Sequence, residues 1–390
     1  MTPHRPFPAP AVPMSLQFRV LQTDPESAAR LGVIETPRGA VPTPVFMPVA
    51  TQASIKALLP EQTAAAGARI VLANAYHLHL QPGEDVIAAL GGLHAFMNWP
   101  HLIITDSGGY QVFSLPNRRI SEEGVRFQYE KDGRPVTLTP ESSIAIQEAL
   151  GADIAMAFDE CVAFPAPHGY AKEAMERTVR WAQRCKAAHR RDGQALFGIV
   201  QGSTYPDLRK ACAEQIAALD LPGIAIGGLS VGEGLDVMSE VLGYTVPHLP
   251  ADRPRYLMGV GLPEDILAYV EAGVDMSDCI IPTKYARSGI LFTQVGRMRI
   301  TRRNYRRDKF PVDTNCACYT CAHYTRAYVH HLFQADEILG QMLATLHNVH
   351  FYLKLMDDIR SALAAGRFGA FKRQFLADYL REEKKTRHVR

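Results

Sequence analysis

No apolar run in the sequence is long enough to span a bilayer, and the amino terminus lacks the charged-then-apolar pattern of a secretory signal. A membrane-embedded or exported protein is therefore not expected, and the expected compartment is cytoplasmic. Net charge is equally scarce. At +2 on 390 residues there is no global field for a polyanion, so any nucleic-acid affinity must come from locally clustered Lys and Arg. Cysteine is sparse at seven residues, and in a reducing compartment three that lie close together read as metal ligands rather than bridges. Cys161, Cys185, Cys212 and Cys279 read as free thiols. Nothing in the composition suggests disorder: 47% hydrophobic and 21% charged residues describe a globular chain able to bury one large core or two ordinary ones. The exception is residues 1–15, where five prolines between Met1 and Pro13 and no apolar period predict a flexible extension.

From Leu16 the chain alternates. A hairpin from Phe18 through Gly39 precedes Pro44–Val49, the first of eight short apolar runs separated by helical stretches. The others are Ile70–Ala73, Leu102–Thr105, Ile154–Phe158, Leu196–Val200, Ile224–Ile226, Tyr256–Met258 and Val274–Ser277. Strand and helix taking turns is the pattern of a parallel sheet with crossover helices, and eight repeats over roughly 250 residues favour an α/β fold of the closed (β/α)₈ TIM-barrel kind, with an open doubly wound sheet as the alternative. The expected organisation is a catalytic barrel with an N-terminal hairpin over 16–295. A basic segment, a zinc-binding subdomain and C-terminal helices follow over 296–390.

The residues just past the end of each run carry chemistry. Run 3 is followed by Asp106-Ser107-Gly108-Gly109-Tyr110-Gln111, run 4 by Asp159-Glu160-Cys161, run 5 by Gln201-Gly202 and run 6 by Gly227-Gly228-Leu229-Ser230-Val231. Run 7 leads into Gly259-Val260-Gly261, and run 8 into Asp278. In a barrel these ends share the carboxyl face, where barrel enzymes build their sites. Asp106 and Asp278 suit glycosyl chemistry, one carboxylate attacking an anomeric carbon while the other moves a proton; metal binding by the pair is the competing reading. Asp159 can accept two N–H bonds from an amidine-like edge such as guanine's, while Gln201 and amides near Gly228 donate to a carbonyl. Tyr110 and Met258 can pack on the two faces of a flat ring. Singly, each has an ordinary reading as an N-cap, a surface Gln, a core Met or a turn glycine; convergence on one face raises the group above it.

Past run 8, Lys284 and Arg287 precede the segment 296–309, which holds seven Lys or Arg and suits phosphates, with Tyr285 and Tyr305 available for stacking. Cys316-Ala317-Cys318-Tyr319-Thr320-Cys321 supplies three thiolates for a closed, structural Zn²⁺ site. His323, His330, His331, His347 and His350 all compete as the fourth ligand.

Together these ordered motifs resemble the bacterial tRNA-guanine transglycosylase family over almost everything from Leu16 on. The resemblance rests on Asp106 to Gln111, Met156 to Cys161, Gly198 to Gly202, Gly227 to Glu233, Tyr256 to Gly261, the Asp278 segment, and the three Cys with Leu346-His347-Asn348. It implies exchange of guanine at the wobble position of the tRNA anticodon stem-loop for 7-aminomethyl-7-deazaguanine (prequeuosine 1), through a covalent ribosyl–Asp278 intermediate. In that scheme Asp106 is the proton acceptor and donor. It further implies that Ser107, Gly108, Gly109, Tyr110, Asp159, Gln201, Gly228, Leu229 and Met258 bind the base, and that Cys161, Val231 and Glu233 set its specificity. RNA contacts are implied for Gly259-Val260-Gly261-Leu262-Pro263-Glu264-Asp265 and Thr283-Lys284-Tyr285-Ala286-Arg287. Cys316, Cys318, Cys321 and His347 are implied to hold zinc, and homodimers to form through the zinc side. Two positions depart from the family pattern: Lys284 stands where Arg is usual, losing a bidentate fork, and Ser277 where a bulkier residue is usual. A catalytically silent RNA-binding paralogue is disfavoured by the retention of both Asp106 and Asp278. A metal-dependent hydrolase is disfavoured because His77 and His79 have no convergent partners.

Overall fold

A computed structural model describes residues 16–129 and 133–381; the proline-rich extension lies outside the described residues. Eight parallel strands close into a barrel: β1 Val45–Ala50, β2 Ile70–Asn74, β3 Leu102–Asp106, β4 Ile154–Met156, β5 Ala195–Val200, β6 Gly223–Ile226, β7 Arg255–Leu257 and β8 Met276–Cys279. They follow one another around the barrel in chain order, and β8 pairs with β1 to close it. The closed alternative, not the open sheet, is the fold. Each strand is buried on both faces, which is why the sequence shows unbroken apolar runs. The two-residue period is still present inside them. Val45, Met47, Val49, Ile70 and Leu72 fill the barrel interior, while Phe46, Ala50, Val71 and Ala73 pack outward under the helices.

The N-terminal end of the barrel is plugged by an antiparallel sheet of three strands, Gln17–Thr23, Arg30–Thr36 and Gly39–Thr43, one more than the expected hairpin. Ile34 and Val41 of this sheet join the interior cluster. Two charged anchors fix it. Arg30 forks onto Asp275 at 2.9 and 2.5 Å, and Arg38 donates to Asp153 at 2.8 Å. Arg30 is also held by the carbonyls of Ala251 and Arg253, so all three nitrogens of its buried guanidinium are hydrogen-bonded.

Several boundaries differ from the sequence expectation. β8 runs two residues later than Val274–Ser277, because Asp275 belongs to the plug anchor and the ladder to β7 begins at Met276. Asp278 therefore lies within the strand and not beyond it. The stretch Gly259 to Asp265 is only partly loop, since Pro263 opens a helix, Pro263–Glu271, at the position where a missing N–H costs nothing. Thr283 to Arg287 belong to a short helix, Ile281–Arg287. The division at residue 295 falls in the turn of a hairpin, Ile290–Thr293 with Gly296–Arg299. Beyond it the helix Ile338–Ala364 contributes Leu346, Val349, Tyr352 and Met356 to the same core as the barrel's outer face.

Candidate active site

Asp278 is buried at the carboxyl end of β8. Its Oδ1 accepts the Tyr256 hydroxyl at 2.6 Å and the Gly259 amide at 2.9 Å, leaving Oδ2 outside both bonds. Burial raises its pKa, and those two donors oppose the rise. Asp106 ends β3. Its Oδ1 accepts the Ala75 amide at 3.1 Å and its Oδ2 the Asn74 side-chain amide. Burial first, then the charges of Asp278 and Asp159, push its carboxyl up to about 8 against the Ala75 and Gly108 amides. The two acids are thus close enough to feel one another; burial raises both, and each accepts two hydrogen bonds that oppose the rise.

Asp159 lies beyond β4. Its Oδ2 accepts Gln201 Nε2 at 2.7 Å, and burial moves it up to about 6. Gly109 is required beside it, because a Cβ there would stand 2.7 Å from Asp159 Oδ1. Gly228 is required for two reasons: its φ is +66°, and a Cβ would meet Gln201 Oε1 at 2.4 Å. Gln201 Oε1 is buried with no hydrogen-bond partner among the described residues, so the Asp159–Gln201 pair presents an unfilled acceptor. Gln201 was expected to donate to a ligand carbonyl; in the free protein its amide nitrogen is instead turned onto Asp159. Tyr110 is exposed, Met258 half-buried against the interior cluster, and Ser107 and Leu229 buried. Cys161 and Val231 are half-buried, and burial pushes the Cys161 thiol up to about 12, so it stays protonated. Glu233 folds back onto its own loop, accepting the amides of Ser230 and Val231, the latter at 3.0 Å.

The rim divides by helical phase. Lys284 and Arg287 are exposed three residues apart, whereas Thr283 and Ala286 are buried and the Tyr285 ring stacks on Phe292 at 5.8 Å. Thr283 nevertheless lines the rim cleft with Lys284 and Arg287, whereas Ala286 is fully buried. Val260, Gly261 and Pro263 are buried in the same way; Gly259 is exposed and Leu262, Glu264 and Asp265 half-buried.

Four functional neighbours escaped the sequence reading. Asn74 caps the helix Ala75–Leu80 with Oδ1 and gives its Nδ2 to Asp106; an Asn between a strand and a helix is the signal. Tyr256 lay inside a recognised motif but was not given its role on Asp278. Arg209 is fully buried and donates to the carbonyls of Val200, Ser203 and Gly227, fixing the ends of β5 and β6. Its signal is a basic residue on the apolar stripe of Leu208, Cys212 and Ile216. Asn348 donates to the carbonyls of Pro282 and Ile290 and accepts the Phe292 amide, each at 3.0 Å.

Cys316, Cys318, Cys321 and His347 bring their ligand atoms within 4.8 Å of one another and can hold a metal ion. His347 Nδ1 lies 3.8, 3.5 and 3.3 Å from the three sulfurs, while its Nε2 meets the Phe292 carbonyl at 2.7 Å. That carbonyl fixes the proton on Nε2 and frees Nδ1 as a ligand. A tetrahedral ion with bonds of about 2.3 Å to S and about 2.0–2.1 Å to N separates S from N by about 3.6 Å, in keeping with these spacings. His330 is committed to the Ile300 carbonyl and His323 to that of Tyr319.

Among the described residues no helix is long and apolar enough to cross a membrane. The family model described as Queuine tRNA-ribosyltransferase matches residues 24–381. Curated relatives of that name include the protein of Symbiobacterium thermophilum, 55% identical over 365 residues covering 93% of this chain and 91% of the relative. That of Caldanaerobacter subterraneus is 52% identical, covering 94% and 98%. That of Bacillus pumilus is 51% identical, covering 94% and 97%.

Proposed function

Because the chain belongs to the queuine tRNA-ribosyltransferase family, we propose that it exchanges guanine at the wobble position of GUN-anticodon tRNAs for prequeuosine 1 by double displacement through Asp278. It is a tRNA-guanine transglycosylase, a pentosyltransferase of queuosine biosynthesis. The finer steps follow from the environments of three carboxylates.

Asp159, about 6 and so mostly ionised near neutrality, accepts two N–H bonds from the guanine edge. The Gln201 amide then turns from Asp159 toward the base carbonyl, with Tyr110 and Met258 on the ring faces. Asp278 Oδ2 attacks C1′ as the C1′–N9 bond breaks. Asp106, held protonated by a pKa of about 8, gives its proton to the departing guanine. The ribose is now esterified to Asp278. The incoming deazaguanine attacks C1′ through N9, its proton passes to Asp106, and the ester bond breaks to restore Asp278. Two inversions give retention. The single observation that carries this reading is the pair of carboxylates at the barrel mouth, Asp278 with Oδ2 outside the bonds from Tyr256 and Gly259, and Asp106 close enough for the two charges to interact.

Cys161, Val231 and the loop that Glu233 braces select the small aminomethyl base over bulkier queuine. The metal is a structural Zn²⁺, supported by the three-sulfur, one-nitrogen donor set. Homodimerisation through the zinc side is supported by the aromatic surface of Tyr319, Tyr324 and Tyr328, of which Tyr319 and Tyr328 are exposed. The reaction's compartment is the cytoplasm. Incubation with an unmodified anticodon hairpin should give a shifted protein–RNA adduct on a denaturing gel, lost in Asp278→Asn. An undiminished adduct in that variant would remove Asp278 from the role of nucleophile.

A further inference from the structure

Arg209 is a buried cation without a counter-ion, and it stands behind the wall where the functional reading puts the base. It projects from the helix Pro206–Ala217 with none of its surface exposed, on the stripe of Leu208, Cys212 and Ile216. Among the described residues it forms no ion pair. Glu233, whose charge reaches it from further off, is spent on the amides of Ser230 and Val231. Burial lowers the Arg209 pKa only to about 10, so the guanidinium stays charged across the neutral range. Burying such a charge is costly, and carbonyl oxygens alone could be met by a neutral donor. It is the charge, more than the hydrogen bonding, that needs a function.

The partners of the guanidinium fix which way the neighbouring peptides face. Its Nε donates to the Ser203 carbonyl at 2.7 Å, and Nη1 donates to the carbonyls of Gly227 at 2.8 Å and Val200 at 3.1 Å. Nη2 reaches the Gly228 carbonyl at 3.4 Å. A trans peptide sends its C=O and the following N–H to opposite sides. With the Gly227 and Gly228 carbonyls turned onto Arg209, the amides of Gly228 and Leu229 face away from it, and the Gly228 amide reaches Cys161 on the pocket wall. Ser203 at φ +51° and Ser230 at φ +60° hold left-handed backbone on either flank, a conformation that the surrounding contacts have to impose. Gln201 lies on the same glycine. A Cβ on Gly228 would stand 2.4 Å from Gln201 Oε1 and 3.4 Å from Arg209 Nη2, so one backbone residue separates the cation from the side chain that turns to the base carbonyl.

We infer that Arg209 is a positioning residue whose charge, relayed through the two peptides flanking Gly228, stabilises the negative charge that guanine gathers as it leaves. The inference rests on the reading of the site as a guanine-exchange site and deepens it. As the C1′–N9 bond breaks, its electron pair passes into the purine and spreads to the ring carbonyl, until the Asp106 proton neutralises it. Aligned peptide dipoles backed by a buried cation meet that charge with little reorganisation, and burial leaves them little screened. Neutral guanine gains much less from the same dipoles, so the effect falls on the rate of departure and not on base binding.

The test compares two variants. Arg209→Gln keeps a donor and removes the charge, whereas Arg209→Lys keeps the charge and loses the fork. Single-turnover adduct formation at saturating anticodon hairpin should fall about 10²-fold in Arg209→Gln and stay within about tenfold of wild type in Arg209→Lys. The inhibition constant of free guanine should move by less than about threefold in both, because it reports the neutral base. Equal rate losses in the two variants would make Arg209 a scaffold and overturn the inference. A guanine constant that rises in step with the rate loss, as a collapsed pocket would give, overturns it equally, and so does a wild-type rate in Arg209→Gln. In each of these cases the wild-type adduct still forms and the functional reading stands. Failure of the wild-type protein to form the adduct would remove the functional reading and the role of Arg209 together.

Discussion

In the proposed mechanism, protonation of Asp106 controls the first half of the reaction, and its environment sets the pH at which that control is lost. With a carboxyl pushed to about 8 by burial, Asp278 and Asp159, it is about nine-tenths protonated at pH 7 and about one-tenth at pH 9. Guanine departure should therefore slow about tenfold between those pH values. Asp159, at about 6, contributes to the opposite limb, its carboxylate being about nine-tenths ionised at pH 7 and about one-tenth at pH 5; Asp278, which must be ionised to attack and is also raised by burial, contributes to the same limb. Single-turnover adduct formation measured at constant ionic strength should give a bell with its alkaline limb near 8 and its acid limb no lower than about 6. In Asp106→Asn the rate should fall by about 10²–10⁴ and the alkaline limb should vanish while the acid limb stays. An alkaline limb at the same pH in that variant would refute the assignment. The same shift has a signature in stability. Native Asp106 keeps its proton up to about pH 8, whereas an unfolded Asp releases it near about 3.9, so the native state binds more protons across that window. Stability attributable to this group thus falls as pH rises through the window, and Asp106→Asn should gain more Tm over wild type at pH 8 than at pH 5.

Three further outcomes are expected from the contacts outside the pocket. Metal analysis should find one zinc per chain, and its removal should raise hydrogen exchange both at 313–324 and across 281–299, because His347 and Asn348 tie the two regions together; metal-free protein with unchanged exchange would contradict the site. Tyr269→Phe strands the buried Ser277 hydroxyl and should cost about 1–3 kcal/mol in urea unfolding, with Ser277→Ala recovering part of the loss in the double variant; additive effects would show that the pair is not coupled. Arg30→Met leaves Asp275 as an uncompensated buried charge and should cost about 3–5 kcal/mol, read as a drop in the urea midpoint; a loss under about 1 kcal/mol would show the plug anchor to be dispensable.

The barrel was legible because each of its strands is buried on both faces and stops in polar residues at the same end. That regularity names the carboxyl-face groups Asp106, Asp159, Gln201 and Asp278 before any coordinates. It cannot rank neighbours within a run. Thr283 to Arg287 read as five equivalent rim residues, yet a helix of that length turns Thr283 and Ala286 inward and Lys284 and Arg287 outward. Nor does it show partners brought together by closure. Asn74 reaches Asp106 across 32 residues and Tyr256 reaches Asp278 across 22, because adjacent or nearby strands deliver them to the same mouth. The late start of β8 has the same origin: Asp275 looks like part of the strand until Arg30, 245 residues away, is seen to hold it.

Ser277, one residue from the proposed nucleophile, is a fully buried polar residue held by a neighbouring helix. Tyr269, from the helix Pro263–Glu271, hydrogen-bonds the serine hydroxyl, so both hydroxyls are buried and satisfied. The next residues continue the restraint. Pro282, in the first turn of the rim helix, and Ile290, just past it, are held through their carbonyls by Asn348, whose neighbour His347 faces the three thiols. The strand bearing Asp278 is thus braced by Tyr269 from behind and succeeded by a rim helix fastened at the metal cluster. A subdomain with no group in the pocket therefore fixes the helix that comes after the nucleophile and carries Lys284 and Arg287.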